Sequence, residues 1–199
     1  MSDLAPSVRS AVVADLPAIA DTLTDAFADY AWTRWTVAED DHLGRLRALQ
    51  TFFTERVGLP YGEVWVTDDV SAVAIWTRPD TVVPPEVFTA PELAELYGDR
   101  ISAAMSAEEI LAGHRPAEPC RVLASIGVRR ERQGLGLGSA VLRPGLEEAD
   151  RGGHPAYLET SDRRNVDFYA RHGFEVTAEV ELPDGGPRTW CMLRPPKRR

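Results

Sequence analysis

A glycine-rich segment constrains this chain more than any other feature. Residues 133–139 read Gln-Gly-Leu-Gly-Leu-Gly-Ser, and they lie between an apolar run that predicts a buried strand, 122–128, and a pattern that predicts a helix. Glycine lets the backbone approach an anion closely, and a helix start offers free N–H groups and a positive dipole end. We therefore predict that phosphate binds at this loop.

The spacing of the glycines narrows the choice of ligand. A dinucleotide fingerprint begun at Gly134 would need its third glycine where Ser139 stands, and the nucleotide P-loop needs a lysine that this segment lacks. The pattern present is Q-x-x-G-x-G, formed by Gln133, Gly136 and Gly138. It resembles the acetyl-CoA pyrophosphate motif of the GNAT superfamily of N-acetyltransferases. An ordinary glycine-rich turn is the alternative.

The resemblance implies that acetyl-CoA is the co-substrate and is bound by the strand end, the loop and the first helical turn. Arg132 and its neighbours Arg129 and Arg130 add positive charge there, which suits phosphate, although a solvated turn is the alternative for each of them. The residues expected to bind acetyl-CoA in this region are Ile126, Gly127, Val128, Arg132, Gln133, Gly134, Gly136, Gly138 and Ser139.

A second stretch, 160–174, predicts a helix that carries Asn165 and Tyr169 four residues apart, and therefore on one face. In GNAT enzymes the matching Asn contacts the pantetheine arm, and the matching Tyr often protonates the departing CoA thiolate. A phenol with a pKa of about 10 is protonated at neutral pH and can serve as that acid. Backbone N–H groups near Gly127 and Val128 are candidates for stabilising the oxyanion. A structural helix aromatic is the alternative for Tyr169.

Glu159, next to the end of a predicted strand, is the candidate general base. It would act directly or through water, and a purely structural carboxylate is an equally open alternative. An α-amino group has a pKa of about 7.7–8.0, so part of it is already neutral and the reaction needs no strong base.

Segments outside these motifs extend the resemblance to the puromycin N-acetyltransferases. They include residues 26–30, 56–59, 64–66, 72–77, 114–116, 158–161 and 187–192. The resemblance implies that the acceptor is the free amine of puromycin or a similar aminonucleoside antibiotic, and that the reaction gives resistance. Tyr30, Trp32 and Trp35 are the expected acceptor-binding residues, because aromatic walls suit an aromatic amine. Ordinary helix packing is the alternative for the tryptophans.

Departures from that family leave the acceptor open. Leu135 stands where the family has a lysine, Ala31 and Trp32 follow Tyr30 where a proline is expected, and residues 82–97 diverge. A different small amine is therefore a second interpretation. A non-catalytic module that binds acyl-CoA is a third, which the presence of Tyr169 disfavours.

Composition excludes several other classes of protein. The net charge of −9 disfavours nucleic-acid binding, and no apolar run approaches the roughly 20 residues of a membrane helix. The four His and two Cys show no metal-ligand spacing, and residues 1–4 do not resemble a secretory signal. We expect a cytoplasmic enzyme without metal, nucleic-acid partner or membrane partner. No particular oligomeric state is indicated.

Hydrophobic periodicity predicts one domain, 1–199, with the order β-α-α-β-β-(α)-β-α-β-α-β-β. This order indicates an α/β (α+β) domain. The resemblance implies the GNAT acyl-CoA N-acyltransferase fold, a mixed central β-sheet flanked by helices. We also expect a loop over 79–91, one helix over 93–112, and a kink or early stop at Pro144 of the helix that follows the glycine loop.

Overall fold

The computed structural model describes residues 6–197, so residues 1–4, which argue against a secretory signal, lie outside the described part. The strands are β1 Val8–Ser10, β2 Gly62–Thr67, β3 Ala72–Thr77, β4 Arg121–Val128, β5 Ala156–Thr160, β6 Glu175–Val180 and β7 Thr189–Arg194. The helices are α1 Leu16–Phe27, α2 Ala31–Thr36, α3 His42–Phe53, α4 Leu59–Tyr61, α5 Pro85–Phe88, α6 Pro91–Tyr97, α7 Ile101–Ala112, α8 Leu137–Gly152 and α9 Arg163–Ala170.

Seven strands form one mixed sheet in the order β1-β2-β3-β4-β5-β7-β6. All neighbours are antiparallel except β4 and β5, which are parallel. These two strands pair only where Arg121 meets Ala156 and Val122 meets Tyr157. Beyond that point they separate, and we call the gap between them the wedge. The predicted mixed sheet flanked by helices is confirmed.

A β-bulge accompanies the opening of the wedge. Ile75 pairs with Ser125 and Trp76 pairs with Leu123, so Ala124 has no partner on β3. A bulge bends its strand and increases the local twist. Ala124 is exposed although its strand was predicted to be buried, because that part of β4 borders the wedge instead of a neighbouring strand.

Helices cover both faces of the sheet beside β4. On one face, α8 packs over Trp76, which is fully buried; on the other, α1 packs through Leu23. The contact of α1 with β4 is close because residue 127 is glycine. A Cβ at Gly127 would lie 2.9 Å from the Cβ of Ala26 and 2.9 Å from Cδ2 of Leu23. Gly127 therefore lets α1 lie directly against the strand that borders the wedge.

The helix that follows the glycine loop does not stop early at Pro144. It continues from Leu137 to Gly152, and Pro144 lies inside it. Proline removes one helical hydrogen bond, but the next residue, Gly145, lies so close to the indole of Trp76 that an added Cβ would overlap it. Packing of α8 on the sheet outweighs the local cost of the proline.

The segment 79–112 contains more helix than was predicted. The expected loop includes α5 and the start of α6, and the expected single helix is divided into α6 and α7 by a 3-10 turn at 98–100. Gly98 follows the last residue of α6 and has φ +62°, a backbone conformation that glycine adopts readily. Phe88 of α5, Tyr97 of α6 and Glu108 of α7 line the cavity described below.

The tight fit of Gly145 gives a stability prediction. We expect Gly145→Ala to lower the free energy of unfolding by about 1–3 kcal/mol, because the new methyl group must displace the indole of Trp76. The control is Gly113→Ala at the end of α7, where φ is −66° and an added Cβ lies 3.4 Å from its nearest neighbour, Ile110 O. Thermal melts measure both. Equal melting temperatures for the two variants would contradict this account.

Candidate active site

The glycine loop forms an open turn in front of α8. Gly134 and Gly136 have φ of +79° and +76°, a region that only glycine adopts without strain. An added Cβ at either position meets no atom within 4 Å. The conformation, and not crowding by the protein, therefore requires glycine there, and the space in front of the loop is free for a ligand.

The start of α8 presents unpaired backbone donors to that space. The first hydrogen bond of the helix runs from the N–H of Ala140 to Gly136 O at 3.0 Å. The N–H groups of Leu137, Gly138 and Ser139 come earlier in the helix and therefore have no acceptor within it. No side chain among residues 6–197 caps the helix. Free N–H groups at the positive end of a helix dipole are suited to an anionic group such as a pyrophosphate.

The end of β4 directs alternate backbone groups into the wedge. Val128 O accepts a hydrogen bond from Nε2 of Gln133 at 3.2 Å, whereas Arg129 N donates to Ser71 O beside β3 at 2.9 Å. The N–H and C=O of one strand residue point to the same edge, and successive residues alternate. The N–H groups of Val128 and Ile126 therefore face the wedge, whereas that of Gly127 faces β3.

The arginines beside the loop are already engaged by acidic or hydroxyl groups. Arg129 Nε donates to Thr22 Oγ1 at 3.0 Å, and Arg130 Nη1 pairs with Asp29 at 2.8 Å. Arg132 pairs with Asp69 at 3.4 Å, and both side chains are about half exposed. Exposed pairs of this kind are weak. Arg130 also donates through Nε to Asp25 O at 2.9 Å, whereas the pair with Asp69 is the one polar contact that the Arg132 side chain makes within residues 6–197, so Arg132 is the least constrained of the three.

Helix α9 places Asn165 and Tyr169 at the wedge. The carboxylate of Asp162 caps this helix by accepting from Arg164 N at 2.8 Å. Asn165 Nδ2 donates to Thr160 Oγ1, at the end of β5, at 3.2 Å. The structure thus brings the two residues of the sequence motif to the strand end that borders the wedge.

The hydroxyl of Tyr169 is left free for chemistry. Only 5% of the residue is exposed, and its ring packs edge-on against Phe168 and Phe174. The hydroxyl has no hydrogen-bond partner among the described residues, and Tyr169 lines the cavity. Burial, and then the nearby Tyr30, raises the pKa of Tyr169. The phenol therefore stays protonated at every pH near neutrality.

A cavity of about 530 Å³ extends from the wedge to the space between α1, α2, α3 and α7. Its wall is rich in aromatic side chains: Phe27, Tyr30, Trp32, Phe53, Phe88, Tyr97 and Tyr169. Its volume is within the range of small-molecule sites. The structure therefore places Tyr30, Trp32, Asn165, Tyr169, Ile126 and Glu159 around one space.

Tyr30 and Trp35 have contacts that the sequence did not indicate. The Tyr30 hydroxyl accepts from Ser161 N at 2.5 Å and lies 3.1 Å from Thr160 Oγ1, so it ties α2 to the end of β5 while its ring lines the cavity. Trp35 does not line the cavity in the described structure. It is buried, and its Nε1 donates to Asp184 O at 3.3 Å. We assign it a packing role.

Glu159 belongs to an ion-pair cluster in the cavity wall. Arg115 Nε donates to Glu159 at 2.9 Å, and its Nη1 and Nη2 atoms donate to Glu108 at 2.5 and 3.0 Å. Tyr157 Oη donates to Glu159 Oε1 at 3.0 Å. Arg115 Nη2 also donates to Glu159 Oε2 at 3.3 Å, so Oε1 accepts two hydrogen bonds and Oε2 accepts one, and the carboxylate is held in place by charged and phenolic donors. The cluster of two carboxylates and one guanidinium carries a net charge of −1.

Sequence reasoning missed several cavity residues. Arg115 appeared only within a resemblance segment, and Glu108 gave no signal. Thr54 is fully buried at the start of a π-helical turn, 54–58, and its hydroxyl has no partner among the described residues. Short π-helical turns are frequent at functional sites, but their positions depend on tertiary packing.

The described residues hold no group of three His, Cys, Asp or Glu side chains that could bind a metal ion. Within residues 6–197, no helix has both the length and the apolar character that a membrane crossing requires.

Comparison with known proteins agrees with this geometry. The model of the acetyltransferase (GNAT) family matches residues 24–174, which contain β2 to β5, the glycine loop and α9. The chain belongs to the GNAT family. It is therefore an N-acetyltransferase that uses acetyl-CoA as its co-substrate.

Solved GNAT structures share the fold over nearly the whole chain. The "histone acetyltransferase HPA2 and related acetyltransferase" of Corynebacterium glutamicum has 29% identity and a TM-score of 0.78, with 98% of this chain and 99% of that chain covered. The Drosophila melanogaster polyamine N-acetyltransferase, which forms N-acetylagmatine, has 11% identity, a TM-score of 0.66 and coverage of 96% and 100%. The mosquito arylalkylamine N-acetyltransferase like 5b has 16% identity, a TM-score of 0.61 and the same coverage.

Proposed function

We propose that this GNAT enzyme, acting as one domain, acetylates the free primary amine of puromycin or a similar aminonucleoside antibiotic and so gives resistance to it. The observation that carries the proposal is the cavity, whose aromatic walls lead to the free hydroxyl of Tyr169 at the wedge. The segments that resemble the puromycin N-acetyltransferases support it, since 26–30 and 158–161 both contribute to this wall.

The donor half of the site is assigned to the loop and the wedge. Acetyl-CoA supplies a thioester whose carbonyl carbon the acceptor amine attacks, so that a C–N bond forms and the C–S bond breaks. Residues 133–139 hold the pyrophosphate through backbone N–H groups, with Arg132 beside them. Asn165 contacts the pantetheine arm. One of the two N–H groups that face the wedge, that of Ile126 or that of Val128, stabilises the negative charge that develops on the carbonyl oxygen, because the two lie too far apart along the strand for both to bind one oxygen.

Tyr169 is assigned as the general acid. Its proton goes to the departing sulfur, which would otherwise leave as a thiolate. The raised pKa of Tyr169 keeps the phenol protonated near neutral pH, and the absence of a protein partner for its hydroxyl among residues 6–197 leaves it free to reach the sulfur. The proton lost by the amine passes to solvent.

Glu159 is assigned a positioning role instead of that of the base. Its oxygens accept from Arg115 and Tyr157, and Arg115 also binds Glu108, so the cluster ties α7 to β5. The net charge of −1 at the cavity wall favours a cationic acceptor, as does the net charge of the whole chain. An amine with a pKa of about 7.7–8.0 supplies enough neutral form without a strong base.

Trp32 is the acceptor-binding residue with the clearest test. If it stacks on the acceptor, Trp32→Ala should raise KM for puromycin about tenfold, in line with the loss of one aromatic stacking contact. KM for acetyl-CoA should stay within about twofold, and Trp32→Phe should behave like the wild type. Steady-state kinetics with both substrates measures this. An unchanged KM for puromycin in Trp32→Ala would remove Trp32 from the site.

A panel of amines tests the function as a whole. Purified protein is incubated with acetyl-CoA and either puromycin, agmatine or tryptamine, and thiol release is followed. Puromycin should give the highest kcat/KM. The agmatine and arylalkylamine activities of the structural neighbours make another small amine the second candidate, and a clear preference for tryptamine or agmatine would establish it. Acetyl-CoA binding without turnover on any amine would contradict both.

A further inference from the structure

Most cations in the described structure are neutralised by a carboxylate within 4.0 Å. The exceptions among residues 6–197 are Arg100, Arg129, Arg143, Arg171 and Lys197. Arg100 packs on the ring of Trp35, and Arg129 bonds to Thr22. The other three side chains make no hydrogen bond in the described structure, and we call Arg143, Arg171 and Lys197 the basic patch.

The basic patch lies beside the pyrophosphate loop. Ser139, in the first turn of α8, has its Oγ 2.9 Å from Nε2 of His172. Arg143 follows Ser139 by four residues on α8 and therefore lies one turn further along the same face. Arg171 precedes His172 directly. Both arginines therefore lie close to the contact between Ser139 and His172, which joins the start of α8 to the end of α9.

The C-terminal segment brings Lys197 to the same place. Arg194 Nε donates to His172 O at 3.1 Å, and its Nη1 pairs with Asp150 at 2.8 Å. Lys197 N donates to the same Asp150 at 2.8 Å. The Lys197 backbone is therefore anchored close to His172.

The titration of His172 agrees with this concentration of positive charge. Burial is the largest cause that lowers the pKa of His172, and the next causes are Arg171, Arg143, Arg194 and Lys197. Every charged neighbour that affects this imidazole is a cation, in a chain whose net charge is −9. Arg194 is paired with Asp150, so the positive charge left without a carboxylate partner there is that of Arg143, Arg171 and Lys197.

We propose that Arg143 and Arg171 bind the 3′-phosphate of the ribose of coenzyme A, with Lys197 adding to the local potential. The proposal rests on the use of acetyl-CoA by the family. A single ribose ring joins the 3′-phosphate to the pyrophosphate. If residues 133–139 hold the pyrophosphate, the 3′-phosphate therefore lies near the next turn of α8. A phosphomonoester carries up to two negative charges, and guanidinium groups match its oxygens.

The test compares binding of CoA and 3′-dephospho-CoA to the full chain by isothermal titration calorimetry. The wild type should bind CoA on the order of tenfold tighter or more, the size expected from charge-assisted hydrogen bonds. In the double variant Arg143→Gln with Arg171→Gln, the preference should fall close to one, while affinity for 3′-dephospho-CoA stays unchanged. Arg151→Gln, on the same helix but paired with Glu148, should retain the full preference.

Two results would overturn the proposal: equal wild-type affinity for both ligands, or equal weakening of both ligands in the double variant. The unchanged affinity for 3′-dephospho-CoA also shows that the variant is folded. Failure of this proposal and failure of the proposed function are distinguishable. If the protein acetylates puromycin but shows no preference for the 3′-phosphate, only the role proposed for the basic patch is wrong. If it binds CoA with that preference but transfers no acetyl group, only the proposed function is wrong.

Discussion

Replacing Tyr169 by Phe should lower kcat by about a hundredfold or more, because the departing sulfur loses its proton donor. The dissociation constant for acetyl-CoA should change by less than about threefold, since the ring still packs against Phe168 and Phe174. Stopped-flow or steady-state turnover and calorimetric binding separate the two quantities. Tyr61→Phe is the matched control, because Tyr61 lies outside the described cavity wall, and its kcat should equal that of the wild type.

The same assignment predicts the pH profile. An acid is active in its protonated form, which is present below its pKa, and the pKa of Tyr169 is raised above the usual 10.0. The rate should therefore rise as the acceptor amine loses its proton and should show no decline from Tyr169 below pH 10. Wild-type kcat in Tyr169→Phe, or a decline near neutral pH that this variant abolishes, would show that the acid is misassigned.

Gly136→Ala should weaken acetyl-CoA binding by about tenfold or more. The methyl group enters the open space in front of the loop, where the pyrophosphate is expected, and a left-handed conformation for alanine costs about 1–2 kcal/mol. Gly153→Ala is the matched control at the other end of α8. Its φ is +66°, and its added Cβ also meets nothing within 4 Å.

The two glycine variants should lose similar stability in thermal melts, and only Gly136→Ala should lose affinity in calorimetry. This pairing separates backbone strain from interference with the ligand. If both variants bind acetyl-CoA as the wild type does, the loop is a turn and not a phosphate site.

The features that the sequence predicted correctly are set by nearby residues. The glycine loop and the Asn165–Tyr169 pair depend on spacings of two to four residues, which helix geometry fixes. The hairpin of β2 and β3 depends on alternation around a short turn. Local patterns of this kind predict secondary structure without knowledge of distant contacts. The resemblance to the family was needed to predict that the glycine loop and the Asn165–Tyr169 pair belong to one site.

The features that the sequence did not predict depend on distant contacts. The wedge lies beside the β-bulge at Ala124, which depends on the pairing of β4 with β3, and the ion-pair cluster joins Arg115 to Glu159, 44 residues apart in the sequence. Trp32 and Trp35 are three residues apart in one short helix, and only the packing of α2 shows that Trp32 faces the cavity. Distant contacts also explain why the prediction of an early stop at Pro144 was wrong. The proline alone favours the end of the helix, but packing of α8 on the sheet preserves it.

The most direct test of the central claim is identification of the product. Purified protein is incubated with acetyl-CoA and puromycin, and mass spectrometry with fragmentation locates any acetyl group. The account predicts a single acetyl group on the free amine of the O-methyltyrosyl part, formed with one equivalent of thiol and about a hundredfold less of it with Tyr169→Phe over the same period. Unmodified puromycin in the presence of bound acetyl-CoA, or acetylation at a hydroxyl group, would contradict it.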